Sequence, residues 1–385
     1  MLTKSIRLKN FQNFKNIKNI KNKLKIILSE NTEVFKSLSK NYKDKYNIMK
    51  IKKIIKKNDI RLIGMGGSIL GSQAIYNFLK DKIKRNFTFE DNLNSLKKDN
   101  KKKLSNLIIS KSGNTLETIT NVNILVKKNQ KNIFITDKKP SYLLTLAKKL
   151  KSEIVEHNNY IGGRFSVLSE VGMLPAQLMG LNPKKFRQFD NLIKNKNFLN
   201  QLVNNTNSIF YYIKRKKYNS IILNYDHKSD YLFQWYKQLI AESLGKKGKG
   251  ILPIISDMPK DNHSVMQIYL DGFKKNFFTF FGCKEKLSHK LNKNQLLRDY
   301  KFLGSYDSNQ IVLKQKKATE IVFSRKKIPY RSFDLNIRNE KSLGELFCYF
   351  ILETILLGRL LNINPFDQPS VELIKKETSR QFFQR

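Results

Sequence analysis

Leu107-Ile-Ile-Ser-Lys-Ser-Gly-Asn-Thr-Leu-Glu-Thr118 is the stretch on which the reading of this 385-residue chain turns. Leu107 to Ile109 form a short apolar run, which predicts a buried strand. The chain passes at once into a segment carrying Ser110, Ser112, Thr115 and Thr118 around Gly113, with Lys111 among them. Apolar spacing at Ile119, Val122 and Val126 then predicts a helix. A strand-to-helix turn with these hydroxyls and exposed backbone N–H groups suits a small anion, above all a phosphate ester. An ordinary capped helix start would account for one such residue, since Ser and Thr are favoured N-caps. The clustering beside a lysine and a glycine favours the anion.

The length allows a large core and about two domains. Hydrophobic residues at 40% and aromatics at 11% mark a globular protein. A formal charge of +43 would ordinarily suggest nucleic acid or an acidic membrane as partner. Here the excess is lysine spread through the whole chain among abundant Asn and Ile, without arginine clusters. That pattern reads as a base-composition bias expressed on solvated faces, with no dedicated nucleic-acid or membrane partner. No RNA-recognition signature, zinc-finger spacing or repeat adds to the nucleic-acid reading. The positive field still favours approach of an anionic metabolite.

Cys283 and Cys348 lie far apart, which fits a reducing, cytoplasmic setting and neither a disulfide framework nor a zinc site. The greasy segment Leu346 to Leu361 carries Glu353 and Arg359, so it is not a membrane span. Met1 to Leu28 is lysine-rich and free of acids but lacks the Arg and Ser bias of a transit peptide. It reads as part of the mature protein.

Outward from the opening stretch, residues 1–58 read as charged helical material. Ile60-Arg-Leu-Ile-Gly-Met-Gly-Gly-Ser68 is a strand entering a Gly-rich turn, followed by a helix over 69–79. The dinucleotide pattern fails because Ile69 stands where its third glycine belongs, and a P-loop fails because Gly71 is followed by Ser72 and Gln73. The turn instead lets a ligand approach the backbone at Gly66, Gly67 and Ser68. With strands at 104–109 and 132–136, the alternation predicts a parallel doubly wound sheet with ligands beyond its carboxyl ends. Gly67-Ser68 and Ser110–Thr118 both fall at such ends.

Tyr160-Ile-Gly-Gly-Arg-Phe-Ser166 places Arg164 in a tight turn, either paired with a surface carboxylate or presented to a ligand. A second strand–helix series opens at Ser220–Tyr225. Its helix over 231–244 ends at Gly245 as C-cap, leaving Glu242 in the last turn, where the helix dipole disfavours a negative charge. His263 sits in Asp261-Asn-His-Ser-Val-Met-Gln267 at a helix start, and residues 276–282 form a further strand. Residues 286–331 are polar with few signals, and 342–362 predict a core helix. Asn364-Pro-Phe-Asp-Gln-Pro-Ser-Val-Glu-Leu-Ile-Lys375 is a proline-fixed loop running into a helix, from which Gln368 and Lys375 could reach a pocket.

Taken together, Gly-Gly-Ser (66–68), Ser-Lys-Ser-Gly-Asn-Thr-x-Glu-Thr (110–118), Gly-Gly-Arg-Phe-Ser (162–166), Ala-Glu-Ser-x-Gly-Lys (241–246), Asp-x-His-Ser-x-x-Gln (261–267) and Asn-Pro-Phe-Asp-Gln-Pro-x-Val-Glu-x-x-Lys (364–375) resemble the glucose-6-phosphate isomerase family, in its order. The resemblance implies an α/β fold of two sugar-isomerase (SIS) domains with parallel doubly wound αβα sheets and peripheral helices. Its expected layout is an N-terminal helical segment (1–58), a first SIS domain with the phosphate cradle (59–190), a second with the catalytic Glu and His (191–340), and C-terminal helices (341–385). It implies cofactor- and metal-free interconversion of glucose 6-phosphate and fructose 6-phosphate in glycolysis and gluconeogenesis. In that resemblance Glu242 matches the acid/base and Arg164 the cation stabilising the enediolate. His263 matches the ring-opening residue and Lys375 its partner. Gln368 matches a substrate-binding position, Ser110, Ser112, Thr115 and Thr118 the phosphate cradle, Lys111 a member of that motif, and Gly67 and Ser68 the sugar side.

A homodimer is also implied, with His263 reaching the partner's site. The chain stops at Arg385 without the C-terminal extension of longer members, a departure that bears on dimer contacts and leaves the expected catalytic set intact. Two other readings stay open: an SIS isomerase that also accepts mannose 6-phosphate, and a non-catalytic sugar-phosphate sensor. A sensor would need the cradle but not Glu242, Arg164, His263 and Lys375 together.

Overall fold

The computed structural model describes residues 1–11, 19–93 and 103–383. Residues 12–18 of the expected N-terminal helical segment, and the last two of the C-terminal one, lie outside the described residues. Ten strands are described: β1 (Ile6–Lys9), β2 (Asp59–Gly64), β3 (Phe87–Glu90), β4 (Leu104–Ile109), β5 (Lys131–Thr136), β6 (Glu153–Glu156), β7 (Asn219–Asn224), β8 (Leu252–Asp257), β9 (Asn276–Cys283) and β10 (Tyr330–Leu335). They form two five-stranded sheets.

The first sheet has the order β3-β2-β4-β5-β6, and all its pairs are parallel. β4 is buried at every position, as a near-continuous apolar strand covered on both faces must be. The strand order reverses between β2 and β4, so a crevice opens beyond their carboxyl ends. Gly66–Ser68 and Ser110–Thr115 leave the sheet at that crevice.

The second sheet has the order β1-β10-β9-β7-β8, parallel except where β1 pairs antiparallel with β10 through Ile6 opposite Leu335. The N-terminal segment expected to be helical therefore carries an edge strand as well as helices. Its alternation is real, with Ile6 and Leu8 buried and Arg7 and Lys9 exposed, but it lasts only four residues. So short a period is lost in a lysine-rich background. The polar region over 286–331 likewise holds a helix, Ser308–Arg325, and the start of β10.

Residues of both sheets, among them Leu62, Leu107, Phe277 and Phe333, join one buried apolar cluster. The helix Glu340–Leu360 is buried along almost its whole length and packs on the helices Ile20–Ser29, Lys196–Lys214 and Asp230–Leu244. A helix apolar on all sides belongs inside. Its Glu353 is satisfied by the guanidinium of Arg331 on β10, both side chains being inaccessible. The helix Asp230–Leu244 also packs on the helix Leu70–Phe78 that follows β2, which carries a residue of the second unit to the crevice of the first.

Candidate active site

A cleft of about 520 Å³ lies at the carboxyl ends of β2 and β4. One wall is the opening stretch, with Lys111, Ser112, Asn114 and Thr115. Thr115 is the N-cap of the helix Leu116–Leu125, yet its side chain makes no capping bond. Its hydroxyl instead meets Ser110 Oγ at 3.1 Å and Ser112 Oγ at 3.5 Å. The hydroxyls thus gather at a helix N-terminus that has no side-chain cap. Gly113 has φ +63°, and a β-carbon there would meet Ser141 Oγ at 2.2 Å, so the turn admits only glycine. Ser110 is buried beneath Thr115. Thr118 is buried on the following helix with its hydroxyl unpartnered, and neither residue lines the cleft.

Lys111 bends away to donate to the Asn159 carbonyl at 2.7 Å. Burial pulls its ammonium below the usual lysine value, with Asp137 opposing and Lys139 and Arg164 adding to the shift.

The floor is the Gly66–Ser68 turn, pressed against Gly163–Leu168. A β-carbon on Gly67 would stand 2.2 Å from the Gly163 carbonyl carbon, so these two motif turns touch backbone to backbone. That contact holds Arg164 over the cleft with its side chain 2% exposed. Trp235 Nε1 donates to the Arg164 carbonyl at 3.1 Å, and Arg164 Nε donates to Ser243 Oγ at 2.8 Å. Its Nη2 donates to the carbonyls of Pro365 (2.7 Å) and Asp367 (3.0 Å), and its Nη1 to Gln368 Oε1 at 2.7 Å. Glu242 Oε2 lies 3.4 Å from the same Nη1. Burial draws the guanidinium below its usual value, and Glu242 pulls the other way. The carboxylate paired with Arg164 is that of Glu242, itself a residue of the cleft lining.

Glu242 sits in the last turn of the helix Asp230–Leu244, which ends at Gly245 through an N–H to the Ala241 carbonyl. Gln238, one turn earlier on the same face, donates to Glu242 Oε2 at 3.2 Å and lies under Gly66. Sequence reasoning missed Gln238, although the i, i+4 spacing to Glu242 was there to be used. It also missed Asp137 and Asn159, which lack any comparable signal. Lys375 lines the mouth, its ammonium 2.6 Å from Glu372.

The structure therefore brings together Gly67, Ser68, Lys111, Ser112, Thr115, Arg164, Glu242, Gln368 and Lys375 at one cleft, with Ser110 and Thr118 behind it. His263 is not among them. It stands exposed on the short 3-10 turn Lys260–His263 after β8 and does not line its own chain's cleft.

Among solved structures, a hypothetical protein from Thermus thermophilus superposes with a TM-score of 0.82 at 20% identity, covering 94% of each chain. A glucose-6-phosphate isomerase from Chlamydia trachomatis superposes at 0.70 with 18% identity, over 87% of this chain and 72% of that one. Two α/β units, the first with a wholly parallel sheet and the second parallel apart from β1, define an α/β fold that these structures share.

The Phosphoglucose isomerase family profile matches residues 16–251. Glucose-6-phosphate isomerase from Methanocaldococcus jannaschii is 36% identical over 350 residues, 86% of this chain and 86% of its own length. The enzyme of that name from Mycoplasmopsis pulmonis is 31% identical over 372 residues, 88% and 86% respectively. The chain belongs to the phosphoglucose isomerase family.

Proposed function

We propose that this protein, an aldose–ketose isomerase by family, interconverts glucose 6-phosphate and fructose 6-phosphate through ring opening and a cis-enediol, with Glu242 as acid and base. The observation that carries the reading is one cleft with the Ser112 and Thr115 hydroxyls in one wall and Glu242 and Arg164 in another. The phosphate binds at the uncapped helix end, and the sugar runs along Gly67 and Ser68 toward Glu242. Holding the non-reacting end lets remote binding energy orient the reacting carbons.

From glucose 6-phosphate, Glu242 takes the C2 proton as O1 gains one, giving the enediol; return of a proton to C1 with loss of one from O2 gives the ketose. A positioned base contributes about 10²–10⁴-fold, so the enediolate oxygens also need a fixed cation. Arg164 fills that role, pre-oriented by its carbonyl and serine acceptors, and Gln238 orients the Glu242 carboxylate. Lys375 and Gln368 serve the ring and hydroxyl oxygens.

His263 acts in the other subunit of a homodimer as the ring-opening group. Its exposure, and that of Leu373 and Ile374 on the Lys375 helix, support that assignment.

A coupled assay on fructose 6-phosphate tests the proposal. Wild type turns over, and Glu242→Gln loses about 10²–10⁴-fold or more in kcat while staying folded. A mutant at full rate would sink the base assignment. Mixing and refolding inactive Glu242→Gln with inactive His263→Ala should restore part of the activity, since one site of each mixed dimer is then intact. No recovery would place His263 in its own chain's chemistry.

A further inference from the structure

Lys246 closes the Ala-Glu-Ser-Leu-Gly-Lys motif, yet none of the chemistry above uses it. Its neighbours Lys247 and Lys249 are exposed, whereas the Lys246 side chain is 9% exposed. Its ammonium donates to the carbonyls of Asn364 and Asp367, the latter at 2.5 Å, and to Asp367 Oδ1 at 2.5 Å. An ammonium has three donors, and all three are committed to one loop. On the other side of that loop Arg164 binds Pro365 O, Asp367 O and the Gln368 side chain. The Asp367 carbonyl is shared by the two cations.

The loop has few means of holding itself. Pro365 and Pro369 have no N–H to donate, and its internal bonds are Phe366 N to Asn364 Oδ1 (3.1 Å) and Asn364 Nδ2 to Asp367 Oδ2 (3.2 Å). Beyond it the helix Pro369–Phe383, which bears Lys375, is exposed along its described side chains apart from half-buried Thr378. The carboxylate half of the Lys246 contact is a weak stabiliser, since Asp367 is 53% exposed and solvent screens the pair. The grip on two backbone carbonyls fixes geometry instead.

We infer that Lys246 is a positioning residue: it fastens the 364–368 loop so that Gln368, the acceptors of Arg164 and the start of the Lys375 helix stand where the cleft needs them. In its kinetic part the inference rests on the isomerase reading. The phosphate end of the cleft is built from other elements, so it should not depend on Lys246.

The test compares full-length wild type with Lys246→Met and Lys246→Arg by kcat and KM on fructose 6-phosphate, inhibition by inorganic phosphate, and amide hydrogen exchange. Misplacement by about 1 Å can cost about 10²-fold, so Lys246→Met should lose roughly 10–100-fold in kcat/KM. Its inhibition constant for inorganic phosphate should stay within about twofold of wild type, and exchange should quicken only across residues 364–383. Lys246→Arg should recover most of the loss. Wild-type kcat/KM with unchanged exchange in Lys246→Met would overturn the assignment, as would a loss that extends to phosphate binding and is not rescued by arginine. Lys246→Gln, which keeps one polar donor group, replaces Lys246→Met if that variant does not fold. If wild type itself fails to turn over the sugar phosphate, the isomerase reading falls separately. The exchange measurement then decides the positioning role, and unchanged protection across 364–383 overturns it.

Discussion

Gly67 and Gly163 meet so closely that a β-carbon built on Gly67 would lie 2.2 Å from the Gly163 carbonyl carbon and 2.6 Å from Arg164 N. The obstacle is backbone, which cannot swing aside as a side chain can. Gly67→Ala should therefore push the two turns apart. We expect a destabilisation of about 1–3 kcal/mol, the usual cost of overpacking, together with a kcat loss out of proportion to it, because Arg164 moves with its turn. Urea unfolding and steady-state kinetics on one preparation check this; an unaltered kcat would mean that the turns do not set Arg164.

Arg164 itself uses Nε, Nη1 and Nη2 on protein acceptors while one edge faces Glu242. Lysine keeps the charge but not the planar fork. Arg164→Lys should lower kcat by about 10²–10³-fold, the range for loss of a preorganised charge-stabilising donor. KM should change much less. Retention of kcat within threefold would remove Arg164 from the reacting centre.

The hydroxyl-lined wall makes a complementary prediction. Ser110 Oγ supports Thr115 Oγ1 at 3.1 Å, and neither is tied to the helix as a cap. The pair Ser110→Ala with Thr115→Ala should raise KM for fructose 6-phosphate about tenfold or more, on the order of one lost hydrogen bond to a charged group. Thermal stability should scarcely move. An unchanged KM would put the phosphate elsewhere.

Acid stability should carry the signature of His157. The ring is inaccessible at the end of β6, Nδ1 lies 3.0 Å from the Asn158 carbonyl, and Nε2 has no partner. Burial pulls its pKa from the ordinary 6.5 to about 4. A depressed folded value means the unfolded chain binds the proton first, so this contribution is intact above about 6.5 and lost as the pH falls toward 4. The full shift corresponds to about 3 kcal/mol. Asp230 works in the opposite sense: burial pushes its carboxyl up to about 6, so its share of stability is present at low pH and lost as the pH rises through that value. Urea unfolding between about pH 4 and 7 should show a shallower acid loss in His157→Gln and a steeper one in Asp230→Asn. Parallel curves for the three proteins would contradict the burial argument.

What the sequence determined by itself is local. The apolar run Leu107–Ile109, the glycine at 113 that the turn demands, the Gly245 helix end and the core helix, read at 342–362 and found at Glu340–Leu360, are legible because each is set by neighbours within a turn or a strand pitch. The hydroxyl cluster is likewise contiguous, so its gathering about one turn could be read before its shape was known. Tertiary structure decided what lies far apart along the chain. The Arg164–Gln368 bond joins residues 204 positions apart, and the β1–β10 pairing joins Ile6 to Leu335. No local periodicity encodes such contacts, because they are selected by how two sheets and the Glu340–Leu360 helix bury a shared core. The same packing left His263 exposed and outside its own cleft, a placement that a helix-start motif alone could not specify.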